Sequence, residues 1–411
     1  MNQNDKRTDE YAALLVQVGI NIQKGQTLVI ACPVDCAWFA RKCAAAAYEV
    51  GCRSVVMRWR DDALTRMKFL HAADDVFDTV PQWEADCMNG HAANGDGYLS
   101  IAASDPMNLL GVDSDRIKRS ARASGKAFTV FNEQQMSNGF PWCIGSVPIP
   151  SWAKKVFPNL SDEEAVDALW EAIFAAVRVT GDGKAVERWK AHLANLDART
   201  KQLNAYNFKS LHYQNALGTD FTVSLPEGHI WQSGADVSRA GVPFIANIPT
   251  EEIFTAPLRD SANGTICASL PLVKDGNVIR GIRFEVENGK IVRASADEGE
   301  ETLQAAISVD EGASYFGEVA LVPYDSPISN QKILFYQTLF DENASCHLAF
   351  GEAYPCIEGG EKMSKEERKA HGLNDSITHV DFMIGTPDLS ITGITQDGRE
   401  VPVFRDGNFV F

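Results

Sequence analysis

TDEYAALLVQVGINIQKGQTLVIAC, residues 8–32, opens the chain on a helical stripe and closes on a strand. Tyr11, Leu14, Leu15, Val18 and Ile20 share one side of a helix that should end near Gly19, and TLVIAC (27–32) reads as a short buried strand. The next stretch repeats the alternation. Residues 36–50 are alanine-rich and helical, and GCRSVVMRWR (51–60) is strand-like. Helix, strand, helix, strand is the order that parallel α/β units produce, because parallel strands need a crossover between them. YLSIAAS (98–104) and AFTVFN (127–132) read as further strands of this kind, up to about residue 150. A three-layer α/β sandwich is the simplest packing of them.

Pro148, Ile149 and Pro150 then interrupt the pattern. Ser161, followed three residues later by Glu164, forms the capping-box pair at the mouth of a helix. Val166, Leu169, Trp170, Ile173, Phe174 and Val177 continue at helical spacing up to Gly181, and a second helix covers about 184–205. From residue 208 the texture is β-like: LHYQ, TDFTVSL, HIWQ, GTICASL and VIRGIRFEVENGKIVRASA, with hairpin-turn dipeptides at Gly276-Asn277 and Asn288-Gly289. The expected organisation is an N-terminal α/β domain with its helical connection, residues 1–207, and a strand-rich α+β domain, residues 208–411.

The 411 residues carry 55 acidic and 38 basic side chains, a net charge of −17. Such a field repels nucleic acid and anionic lipid, so neither is an expected partner. Nine cysteines without a C-x-x-C pair, and an N-terminus without the apolar core of a signal peptide, read as reduced thiols in a cytoplasmic protein. The sequons at Asn159, Asn263, Asn343 and Asn374 are then chance matches. Phosphate-loop, serine-hydrolase, zincin and dinucleotide-binding motifs are absent.

Potential metal ligands gather in the last third. In SITHVDFMIG (376–385), His379 and Asp381 project from the same face of a strand whose other face carries Thr378, Val380, Phe382 and Ile384. The alternative is an exposed sheet face with an incidental pair. TLFDENASCHLAFG (338–351) offers Asp341, Glu342 and His347, although Asp341 or Asn343 is also a natural helix N-cap. NIPTEEIFTAP (247–257) offers adjacent Glu251 and Glu252, of which one at most normally faces a given site. Glu318 in YFGEVALVP (315–323) precedes an apolar run and needs a partner if buried. Cys346 is a tempting thiolate ligand beside His347, or else a buried apolar thiol. His71, His91, His192, His212, His229 and His371 lack carboxylate companions in sequence and read as structural or solvated. Carboxylates with two histidines are what a dinuclear hydrolase site requires.

These four segments, in this order and spacing, resemble the aminopeptidase T and aminopeptidase S family of thermophilic-type leucyl metalloaminopeptidases. The resemblance extends to VGINIQKGQTLVIACPV, VFPNLSDEEAVDALWEAIF and GTDFTVSLPEGHIW, and so covers nearly the whole chain. It implies a homodimer whose C-terminal domain binds two divalent ions, with zinc, cobalt, manganese and magnesium all eligible. Carried over motif by motif, it implies Glu252, Glu318, His347, His379 and Asp381 as metal ligands and Tyr354 as an active-site hydroxyl. Glu342 is added as a ligand or as the carboxylate that manages the proton of water, and Glu251 as the partner of the substrate's ammonium. The implied activity is removal of the N-terminal residue from short peptides by a metal-activated water, with Glu318, Glu342 and Tyr354 as the catalytic side chains. A metal-dependent amidase for a non-peptide substrate, and an inactive binding or assembly protein, are the competing readings.

Overall fold

The structure, a computed structural model, describes residues 5–274 and 277–411. It divides into two compact units, residues 1–191 with 235–249, and residues 192–234 with 250–411. The division falls within the helix Ala185–Tyr206.

The first unit is built on a parallel sheet of β1 (Thr27–Pro33), β2 (Ser54–Arg60), β3 (Gly97–Ala102) and β4 (Trp142–Ser146), in the order β2-β1-β3-β4. Helices cover both faces, as parallel strands require. On one side lie Lys6–Leu14, its π-helical continuation Leu15–Gly19, and Ala37–Glu49. Gly145 of β4 permits this approach, because a Cβ there would stand 2.5 Å from the Leu15 side chain. On the other side Gln82–Ala93 and Thr129–Met136 bury Met88, Ala92 and Phe131 with Phe140, against Tyr98 and Trp142 of the sheet.

Two sequence expectations change here. The run 127–132 is not a strand: Ser114–Ala127 and Thr129–Met136 are helices. Its β-branched and aromatic composition is overridden by tertiary packing, since Phe131 alone is buried, 5.0 Å from the Tyr98 ring. The fourth strand is instead Trp142–Ser146, which the flanking proline and internal glycine concealed. The capping box at Ser161 is formed, with Ser161 Oγ accepting from Glu164 N and the Glu164 carboxylate accepting from Ser161 N at 3.0 Å. Such caps contribute about 1 kcal/mol.

The second unit is an antiparallel sandwich. Its eight-stranded sheet runs Lys290–Ser295, Arg283–Glu287, Asn263–Cys267, Asp220–Ser224, Phe208–Gln214, Ser390–Thr395, Glu400–Arg405, Asn408–Phe409. Asn288 and Gly289 turn the first hairpin with left-handed backbones, at φ 49° and 83°. The expected turn at 276–277 lies partly outside the described residues; Leu272–Lys274 and Asn277–Ile279 on either side of it pair antiparallel. The five-stranded sheet runs His379–Met383, His347–Gly351, Phe316–Leu321, Ile253–Thr255, Gln232–Ser233. Ile253, Phe316, Val319, Leu348, Phe350, Val380 and Phe382 face Phe221, Ile266 and Phe284 of the larger sheet in one core. The alternate residues of the smaller sheet therefore look outward from this core. Among the described residues no helix is long and apolar enough to cross a membrane.

Candidate metal centre

Cross-strand register determines which outward side chains meet. Asp381 is paired with Ala349, which is paired with Glu318, so two carboxylates flank a single methyl group. One step along, Met383 is opposite His347 and His347 opposite Ala320. Ala349 in the middle of the first row and Ala320 at the end of the second leave a hollow into which the longer side chains converge. Glu252 reaches it from the residue before the Ile253–Thr255 strand.

Two groups of possible ligand atoms result: Glu252, Glu318 and His347, and Glu318, His379 and Asp381. His347 Nε2 is 3.3 Å from Glu252 and 3.8 Å from Glu318, while His379 Nε2 is 3.1 Å from Glu318 and 3.2 Å from Asp381. Glu318 belongs to both, presenting Oε1 to one imidazole and Oε2 to the other. The far nitrogens are committed to the backbone: His347 Nδ1 lies 3.1 Å from the Ser345 carbonyl and His379 Nδ1 2.7 Å from the Glu352 carbonyl. An Nδ1–H donated to a carbonyl leaves the Nε2 lone pair facing the cluster, which is the tautomer a metal requires. This donor set fits divalent ions. Sequence reading did not find the two orienting carbonyls, since backbone acceptors carry no residue signature.

The electrostatics express crowding. Burial alone would raise the Glu318 carboxyl, but the two imidazoles outweigh it and hold it down to about 2. Burial likewise disfavours charge on His347 and His379, yet their carboxylate neighbours push both well above the ordinary imidazole range. Glu252 is raised by burial, against the pull of His347. Glu342 is raised well above the ordinary range by burial and then by Asp381 and Glu252. It lies on the turn Glu342–Ala344, close enough to feel those charges but outside both groups of ligand atoms among the described residues.

The Tyr354 ring is 5.1 Å from the His379 ring and 5.5 Å from that of Phe254. The Glu251 carboxylate is buried 3.7 Å from His192 Nε2 on the long helix, and its amide donates to Asn343 Oδ1 at 2.7 Å. It belongs to neither ligand group among the described residues. His192, read from sequence as lacking a carboxylate companion, thus has one. Asp341 ends the short helix Thr338–Asp341 and stands at the N-cap position of the turn Glu342–Ala344, but its side chain makes no cap there and reaches back to accept from the amides of Phe335 and Gln337. His347 opens the strand His347–Gly351. Cys346 Sγ bridges Val322 N and Val322 O at 3.3 and 3.2 Å, and burial raises its thiol to about 12. It is a core thiol.

A buried carboxylate shared between two imidazole-bearing groups defines a metallohydrolase-like protein. The family model described as thermophilic metalloprotease (M29) matches residues 4–409. Aminopeptidase AmpS of Bacillus subtilis is 45% identical over 412 residues, spanning 100% of both chains, and aminopeptidase 2 of Geobacillus stearothermophilus is 46% identical, spanning 100% of this chain and 99% of its own. The solved structure of wild-type AmpT from Thermus thermophilus superposes with a TM-score of 0.92 at 37% identity, covering 99% of each chain. This chain belongs to the thermophilic metalloprotease (M29) family.

Proposed function

We propose that this protein removes the N-terminal residue from short peptides with the help of two divalent ions, one held by Glu252, Glu318 and His347, the other by Glu318, His379 and Asp381. That it is a metal-dependent aminopeptidase follows from its family and from relatives named as aminopeptidases along their whole length. The observation carrying the two-ion reading is Glu318, shared between the two groups through its separate oxygens. Bound there, such ions supply Lewis acidity, lowering the pKa of water and polarising the peptide carbonyl. Zinc, cobalt, manganese and magnesium all suit mixed nitrogen and oxygen donors.

The chain's own residues do the rest. Glu342, whose proton affinity burial and neighbouring carboxylates raise, accepts a proton at its carboxylate and returns it to the departing amine. Tyr354, beside His379, offers its hydroxyl to the developing oxyanion. Glu251 was the sequence-based partner for the substrate ammonium. Its burial against His192 supports a different duty, holding the turn before Glu252 on the long helix. We also take the protein to act as a homodimer in the cytoplasm, which the family resemblance and the reduced thiols support; sedimentation in reducing buffer tests the first point.

The decisive experiment is hydrolysis of leucine p-nitroanilide after chelation, after return of each metal singly, and with Glu318→Gln alongside. Activity lost to chelator, restored by metal and absent in the variant carries the reading. Bound metal without cleavage of any aminoacyl substrate turns it towards an amidase or a binding protein.

A further inference from the structure

The parallel sheet of the first unit carries at its edge a cavity of about 300 Å³, walled by Val29, Val56, Trp59, Trp83 and Met88. We propose that it binds a free α-amino acid with an aromatic side chain. All the residues named for it belong to the first unit, and the candidate metal centre belongs to the second. β2 is an edge strand of its sheet, and alternate residues of a strand face opposite ways. Val56 and Arg58 on one face, and Met57 and Trp59 on the other, all reach the cavity, which therefore opens at the edge of the sheet. The helix Gln82–Ala93 supplies the facing wall, since Trp83, Cys87 and His91 recur every fourth residue along one side of it.

Trp83 is 72% and Trp59 46% exposed, and among the described residues neither indole stacks on another ring or donates a hydrogen bond. Free indole faces beside a cavity suit an aromatic ring, stacked with an offset or edge-on. The charges define the rest of the ligand. Arg58 Nη2 and Glu84 Oε1 stand 2.9 Å apart on the cavity wall, both side chains partly exposed. Arg58 is braced there: its Nη1 donates to Met88 Sδ at 2.9 Å, and its guanidinium carbon lies 5.3 Å from the centre of the Phe128 ring. A zwitterion laid against this pair in the opposite sense puts its carboxylate on Arg58 and its ammonium on Glu84, so every charge meets its opposite. A lone carboxylate would also face Glu84, and a lone ammonium would also face Arg58. His91 is already taken by Asp96 at 2.7 Å. The volume, at the lower end of small-molecule sites, suits one amino acid rather than a nucleotide.

Cys87 reports occupancy, because it lines the cavity and the other eight thiols are buried. The full-length, metal-loaded protein is labelled with iodoacetamide, alone and with L-phenylalanine, L-glutamate, hydrocinnamate, which lacks the ammonium, or phenethylamine, which lacks the carboxylate. L-Phenylalanine should slow the labelling of Cys87 saturably, by about tenfold at a concentration about ten times its Kd. Glutamate and the two singly charged analogues should need concentrations at least about tenfold higher for the same effect. Trp83→Ala should lose the protection with the stacking face, and Glu84→Gln with the ammonium's partner, while Glu318→Gln should keep it. Thermal melts establish that each variant is folded, and the analogue series decides without any variant. Equal protection by a singly charged analogue, undiminished protection in either folded cavity variant, its loss in Glu318→Gln, or none from phenylalanine in wild type overturns the proposal. None of these outcomes bears on the aminopeptidase reading.

Discussion

Phe316 and Glu318 stand two residues apart on one strand and face opposite sides of their sheet. A regular strand would put both on the same side. Here Phe316 is opposite Phe350 while Glu318 is opposite the next residue back, Ala349, so the bulge at Gly317 absorbs one residue and turns Glu318 out of the core. Without it, the carboxylate shared by both ligand groups would point among phenylalanines, at a cost of several kcal/mol.

Gly317→Ala should therefore damage the centre from behind. A Cβ at that position would stand 2.2 Å from the Glu352 carbonyl, the same carbonyl that receives His379 Nδ1. The expected outcome is a stability loss of about 1–3 kcal/mol and at least a tenfold weaker metal affinity, of the order produced by disturbing outer-shell partners. Calorimetric metal titration beside thermal melts checks this, and undiminished affinity would refute the re-aiming argument.

Metal should stabilise the fold by mass action. At a free ion concentration about 100 times Kd the gain is about 2.7 kcal/mol, and Tm rises accordingly. Because the imidazoles must give up protons to bind, the gain should shrink as pH falls. His379→Ala should abolish most of it. A melting temperature indifferent to chelator in wild type contradicts this.

Asp310 anchors the approach to the His379 strand, accepting from Ile377 N at 2.7 Å, Ser376 Oγ at 2.8 Å and Ala313 N at 2.8 Å. Burial works to raise its carboxyl, but these donors outweigh it and hold it below the ordinary value of 3.8. A depressed carboxyl contributes stability that is complete above its unfolded value and is lost as pH falls through the folded one. Asp310→Asn should cost roughly 1–2 kcal/mol at neutral pH, and the difference from wild type should narrow in acid. A constant difference down to pH values well below 3.8 would argue against an ionic anchor.

The thiols separate clearly. Cys87 is exposed and the other eight are buried. A thiol reagent should label the native protein at Cys87, and Cys87→Ser should remove that reaction. Cys346→Ala should keep the metal stoichiometry of wild type; loss of one ion would restore Cys346 as a ligand.

Much of this was readable from residues. The first three parallel strands announce themselves as apolar runs between helices, and His379 with Asp381 need only period-two spacing to share a face. The register that brings them to Glu318 and His347 is set by pairing across three strands, which no local pattern contains. Glu251 shows the limit: Glu251 and Glu252 are adjacent glutamates alike in sequence, and only His192, distant along the chain, distinguishes the one facing the helix from the one facing the centre. Residues 127–132 failed because their strand-like composition serves a helix packed on aromatic rings.

The excursion of residues 235–249 has a consequence for inheritance. Within the first unit, Ile144 N donates to Ala246 O, Ile248 N donates to Ile144 O and Ile245 N donates to Gly19 O. A gene split after codon 207 would deliver an N-terminal fragment lacking these partners and a C-terminal fragment carrying fifteen residues of another unit's backbone. Neither half is a portable cassette, so exchange between relatives should conserve the chain whole rather than shuffle its two units.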